Sequence, residues 1–213
     1  MKRPRMTRRG ALAATLSGAA IGLGYSRTGI RSAMAASPTR YDFQSRSIAD
    51  WAVVAGQWAV EDLPGDPGPA LVQRATKNEF NVIAAPAGPF ADLEVSMRFK
   101  PISGREDASG GVVFRFAEGR YYVVRANALE GNFRLYTYDR GRREIASANV
   151  AAPALGQWHT VRIAATGERI QGWLDDKPLI DHRDRRFAAG KVGLWTKADS
   201  VTAFRDVVIT PAA

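Results

Sequence analysis

Residues Ser109–Asp139 read SGGVVFRFAEGRYYVVRANALEGNFRLYTYD. Three runs rich in Val, Phe and Tyr are broken by AEGR and ALEG, each with a glycine free to take φ > 0 in a tight turn. Inside the runs the side chains alternate with period 2. Val112, Phe114 and Phe116 fall on one face, and Val113 and Arg115 on the other. Tyr122, Val124 and Ala126 oppose Tyr121, Val123, Arg125 and Asn127, while Phe133 and Leu135 oppose Arg134, Tyr136 and Tyr138. This predicts an antiparallel meander with an apolar inner face and an Arg/Tyr outer face.

The same reading extends outward. Ala91–Lys100 alternates, with Leu93, Val95, Met97 and Phe99 inward. Trp158–Ala164 and Arg169–Leu174 flank the hairpin signal Ala165-Thr166-Gly167-Glu168. Shorter strands are expected at Ala70–Arg74, Phe80–Ala84, Arg143–Val150, Lys191–Trp195 and Val201–Ile209. About a dozen strands at roughly 8–12-residue spacing, with no sustained helical period, predict an all-β, two-sheet antiparallel jelly-roll sandwich.

Of 213 residues, 30 are Lys or Arg and 21 Asp or Glu, a formal net charge of +9. Seven of those cations and no acid lie in Met1–Ala36, so the rest of the chain is almost balanced. Phosphate binding needs clustered excess cations, so no nucleic-acid partner is expected. There is no cysteine, which excludes disulfides, thiolate nucleophiles and Cys-based zinc sites.

The leader has a basic head with Thr7-Arg8-Arg9, a modest apolar run Ala11–Leu23 and a small-residue end at Ala33-Met34-Ala35. TRRGALA resembles a twin-arginine export motif, with Ala11 and Ala13 where an aromatic and a lysine are usual. The expected organisation is an export signal over 1–35, a linker over 36–40 and one sandwich domain over 41–213. The expected location is periplasmic or secreted. The apolar run is too short and weak for a stable span, so no membrane insertion is expected after signal removal.

GQWAVED, SGGVVFRF, YYVVRANALEGNFRLY, GQWHTVRI, LDDKPLIDH and GKVGLWTKADSVTAFRDVVI, in that order, resemble the laminin-G/concanavalin A-like jelly rolls. The chain is most similar to their secreted 3-keto-disaccharide hydrolase-like, or family-16-hydrolase-like, domains. That resemblance implies a carbohydrate-associated role, in which members cleave or bind glycosides. Aligned with the family, Ser109-Gly110-Gly111 stands for an Asn-Ser-Gly lead-in, Tyr121-Tyr122 for a Tyr-Glu pair, and Asn127 for an acid. Arg115 matches the family arginine. Two carboxylates of the shared face are thus missing.

Glycoside hydrolysis usually sets two carboxyl groups across the scissile bond. The E-x-D-x-x-E strand of concanavalin A-like glucanases does not occur here. Tyr122 and His159 remain as weak catalytic candidates. The two histidines, His159 and His182, match no zinc spacing, and no metal site is expected. No cofactor is expected either, a calcium ion held through Asp42 or Asp206 being the one exception weighed.

Flat aromatic rings under sugar CH faces, beside planar hydrogen-bonding side chains, make a saccharide surface. Arg115, Arg125, Asn127, Arg134 and Tyr136 are the ligand-binding candidates on the meander's outer face, with Trp173 and Trp195 placed beside them. The preferred partner is a glycan or small glycoside. The alternatives are a 3-keto-glycoside hydrolase or lyase, in which Arg115 holds substrate, and a periplasmic protein-interaction module.

Overall fold

The computed structural model describes residues 37–212, so the export-signal reading falls outside the described residues. Among the described residues, fifteen strands form two antiparallel sheets. The central meander is β7 (Ser109–Ala117), β8 (Arg120–Asn127) and β9 (Asn132–Tyr138). It sits in a seven-stranded sheet with β2 (Ala52–Ala55), β5 (Phe80–Ala84), β10 (Arg142–Asn149) and β14 (Lys191–Lys197). Its spatial order is β10-β9-β8-β7-β14-β5-β2.

The facing sheet is built on β6 (Leu93–Ser103) and β15 (Val201–Pro211), each eleven residues long. Around them lie β3 (Trp58–Asp62), β4 (Pro69–Gln73), β11 (His159–Thr166), β12 (Arg169–Leu174) and β13 (Lys177–Arg183). Their order is β13-β12-β11-β6-β15-β4-β3, and β1 (Thr39–Tyr41) pairs with β15. The first strand therefore begins inside the stretch read as a linker.

One-sided burial on each strand explains the two layers. Leu93, Val95, Met97 and Phe99 alternate inward as their sequence predicts, against Val112, Phe114, Tyr122, Val124, Phe133 and Leu135 of the other sheet. The approach is close enough to constrain the SGG run. A Cβ on Gly110 would lie 2.6 Å from Phe99 Cδ2. Gly111 faces the opposite way, where a Cβ would meet Arg125 Cβ at 2.7 Å.

The alternation fails at one place in the meander. Arg115 has φ 50°, and the β7–β8 register slips between Phe114 and Ala117. This bulge adds a residue to one strand and reverses the faces beyond it. Arg115 turns off the outer face, and Phe116 joins the outer aromatic cluster instead of the core. Both placements correct the sequence reading.

Candidate functional site

The inner face of the seven-stranded sheet is spent on the core, so chemistry on this sheet must use the outer face. Register builds a row across five strands: Arg134 opposite Arg125, then Gly111, Trp195 and Val82. Val82, Val113, Val123, Tyr121, Tyr136 and Trp195 are buried there as a second apolar cluster, with Phe80, Phe116 and Tyr138 packed on it.

Phe80 and Tyr138 reveal the shape of this face. They stand on β5 and β9, four strand spacings apart, which alone is about 19 Å on a flat sheet before any offset along the strands. Their ring centroids are nevertheless 5.6 Å apart, edge to face. The sheet therefore curls, and the two rings meet across a trough. Phe80 also stacks on Trp195 at 5.5 Å, and Tyr121 stacks on Tyr138 at 4.9 Å with an interplanar angle of 6°. Beside them opens a cleft of about 560 Å³, lined among others by Lys77, Glu79, Phe80, Phe116, Tyr121 and Tyr138.

A polar network borders the aromatic half. The Arg125 guanidinium, 1% exposed, donates to Asn132 Oδ1, to Glu130 Oε2 at 3.0 Å and to the Tyr136 hydroxyl at 3.1 Å. Arg134 donates to the same hydroxyl at 3.4 Å and pairs with Glu144 at 3.2 Å. The Asn132 amide holds the Glu130 carboxyl below the usual carboxylate range; partial burial works against this, and Arg125 adds to the lowering. Arg142 lies with its guanidinium carbon 4.5 Å from the Tyr136 ring centroid and 5.5 Å from that of Phe80. Burial pushes the Tyr121 hydroxyl up. The Trp195 Nε1–H works against that rise while falling short of hydrogen-bond geometry.

The candidates named from sequence divide. Arg125, Arg134 and Tyr136 come together on the outer face. Asn127 lies on it too, but its amide is committed: Nδ2 donates to Asp107 at 3.0 Å, and Oδ1 accepts from the Leu129 and Glu130 amides. Arg115 is elsewhere, 2% exposed. It donates to the carbonyls of Ala91, Phe187 and Gly167 at 2.9, 3.1 and 2.8 Å and pairs with Asp92 at 3.4 Å, stapling three connecting segments. Trp173 belongs to the other sheet, where the Arg162 guanidinium covers its ring at 3.6 Å. Trp195 does join the trough.

Tyr122 is buried on the inner face. Its hydroxyl donates to Asp184 Oδ1 at 2.6 Å and accepts from the Phe187 amide. It is pushed up to about 12, first by burial and then by the Asp184 carboxylate. His159 binds Asp175 through Nδ1 at 2.8 Å and packs on Phe99, while its Nε2 is buried without a partner. Tyr122 and His159 share no hydrogen-bond partner. Among the described residues no group of three or more His, Asp or Glu side chains converges as a metal site. Asp206 is engaged by Arg98 and Arg205, and Asp42 caps the Gln44 amide.

Phe80, Glu79 and Arg142 were missed in the sequence. Phe80 carried a signal, since it precedes Val82 by two in an apolar run, but nothing local tells that β5 and β9 face one another. Arg142 lies one residue outside the strand expected at Arg143–Val150.

Comparison with known proteins is consistent with this architecture. A Bacillus subtilis (strain 168) protein named levanase is 22% identical over 165 residues, covering 76% of this chain and 23% of that protein. The carbohydrate binding module CBM66 from Bacillus subtilis superposes with a TM-score of 0.66 at 21% identity, over 76% of this chain and 95% of the module. A Bacillus licheniformis β-glucanase superposes at 0.58 and 11% identity, over 84% and 99%. At such identities the likeness establishes the concanavalin A-like jelly roll, a fold that serves both binding and cleavage. The family model for the 3-keto-alpha-glucoside-1,2-lyase-like domain matches residues 41–210, nearly every described residue, and the chain belongs to that family.

Proposed function

We propose that this chain is an exported carbohydrate-binding jelly roll whose ligand, a glycan or small glycoside, lies in the trough of the seven-stranded sheet. The observation that carries the reading is the trough itself. Its aromatic rings meet across the curled face beside a cleft of about 560 Å³ whose lining also includes Lys77, Asn78 and Glu79. Rings supply contact for sugar CH faces, and the planar polar groups suit hydroxyls. Phe80, Phe116, Tyr121 and Tyr138 line it with Asn78 and Glu79, and the network of Arg125, Glu130, Arg134 and Tyr136 lies farther along the same sheet face.

Binding is preferred to cleavage because Glu79 is the sole carboxylate among the described residues lining the cleft. A single carboxyl lacks the partner that hydrolysis across a glycosidic bond requires. Calorimetric titration against a panel of oligosaccharides tests the reading, and absence of any saturable heat sinks it.

The family's description keeps a second reading, cleavage of 3-keto-glycosides by elimination or hydrolysis. Tyr122, held protonated toward Asp184, is a poor base at neutral pH. Incubating purified protein with a 3-keto-glucoside and a divalent cation decides this, since release of free sugar above a heat-killed control would establish the enzyme. Export is tested by replacing Arg8 and Arg9 with lysine, which should retain the protein in the cytoplasm.

A further inference from the structure

Resting on the carbohydrate-binding reading, we infer that the trough favours saccharides that carry a carboxylate, that is, uronic acids. The outer face is short of hydrogen-bond acceptors. Three buried nitrogens on it have no partner: Trp195 Nε1, Arg125 Nε and Arg142 Nη1. Trp195 and Arg125 are at most 1% exposed and bracket Gly111 in the same cross-strand row. Indole and guanidinium nitrogens can only donate, so this face carries a surplus of donors over acceptors.

Charge points the same way. Arg125 is balanced by Glu130, and Arg134 by Glu130 and Glu144. Arg142 has no ion-pair partner among the described residues, although its guanidinium lies against Tyr136 and Phe80. The other charged groups at the cleft, Lys77 and Glu79, offset each other. The trough therefore carries one uncompensated planar cation beside its sugar-sized rings. A sugar hydroxyl brings a donor with each acceptor and no charge. A carboxylate brings acceptors only, in the flat geometry that a guanidinium matches with two bonds. Arg142 is partly exposed and its guanidinium lies against Phe80, which lines the cleft, so a carboxylate projecting from a sugar ring stacked on Phe80 would reach it.

The test compares a tetragalacturonate with its carboxyl-reduced counterpart, the same linkages with the acid converted to CH2OH, by calorimetry. The acidic sugar is expected to bind at least about tenfold more tightly, the worth of one charge-assisted hydrogen bond. That advantage should shrink as salt is raised. Arg142→Gln should bring the ratio to within about twofold, and Arg142→Lys should leave it intermediate because the point charge survives without the planar fork. Arg169→Gln on the other sheet should leave the ratio as it is. Equal or tighter binding of the reduced sugar, or an unchanged ratio in Arg142→Gln, overturns the uronate preference while leaving the carbohydrate reading intact. If tetragalacturonate fails to bind while neutral glycans from the panel do, the preference is likewise wrong. If no saccharide binds, both readings fall.

Discussion

Replacing Phe80 with alanine would remove the ring that bridges the trough. Phe80 makes two aromatic contacts, the stack on Trp195 at 5.5 Å and the edge contact to Tyr138 at 5.6 Å. Each such pair contributes about 1 kcal/mol beyond area burial. Loss of the half-buried ring area costs about 1 kcal/mol more. The sum, about 3 kcal/mol, corresponds to a fall in melting temperature of roughly 6–12 °C for a domain of this size. Trp195, now fully covered, would gain solvent, so the tryptophan emission should shift to the red relative to a Trp195→Phe control. Saccharide affinity should fall together with stability, because the same ring is the proposed platform. Chemical denaturation, emission spectra and calorimetry on the one variant read all three effects. A stability loss under about 0.5 kcal/mol with unchanged emission would mean that the rings do not meet across the sheet, and the trough would have to be abandoned.

Arg115→Met should destabilise the fold by about 3 kcal/mol or more, because one buried guanidinium donates to three carbonyls of separate segments and all three bonds go at once. Urea titration checks this, and a variant of native stability that loses only ligand would return Arg115 to the binding site. Gly110→Val should overpack the sandwich against Phe99 at a cost of about 1–3 kcal/mol; an unchanged melting temperature would contradict the close approach. Asp66 and Asp199 are both pushed up by burial yet end below the usual range. Hydrogen bonds from Lys100 and Trp158 outweigh burial for Asp66, and the amides of Arg105, Asp107 and Glu106 do so for Asp199. A carboxyl lowered in the fold is protonated first in the unfolded chain. Its stabilisation is whole above the unfolded value near pH ~4 and is lost as pH falls through the folded value. Acid unfolding profiles of Asp66→Asn and Asp199→Asn should therefore be flatter below pH ~4 than that of the parent, and identical slopes would refute the assignment.

The two layers are already legible in the order of the residues. Period-2 runs such as Leu93–Phe99 and Tyr122–Ala126 fix which side chains are buried, because a strand's geometry allows only two faces. Breaks at Gly119, Gly131 and Gly167 were legible because a turn with positive φ asks for glycine. The network of Arg125, Arg134 and Tyr136 was also legible, since adjacent strands of a meander bring such residues side by side.

Everything else depends on long-range packing. A single αL residue at Arg115 reversed the alternation, and no local signal marks an arginine for that conformation. Trp173 and Trp195 look alike in sequence and lie on different sheets, because strand order is a long-range property that no window of residues contains. The pairing of β14 with β5 and β7, and the curl that brings Phe80 to Tyr138, come from the packing of the whole sheet. The trough, and with it the proposed ligand site, exists only at that level.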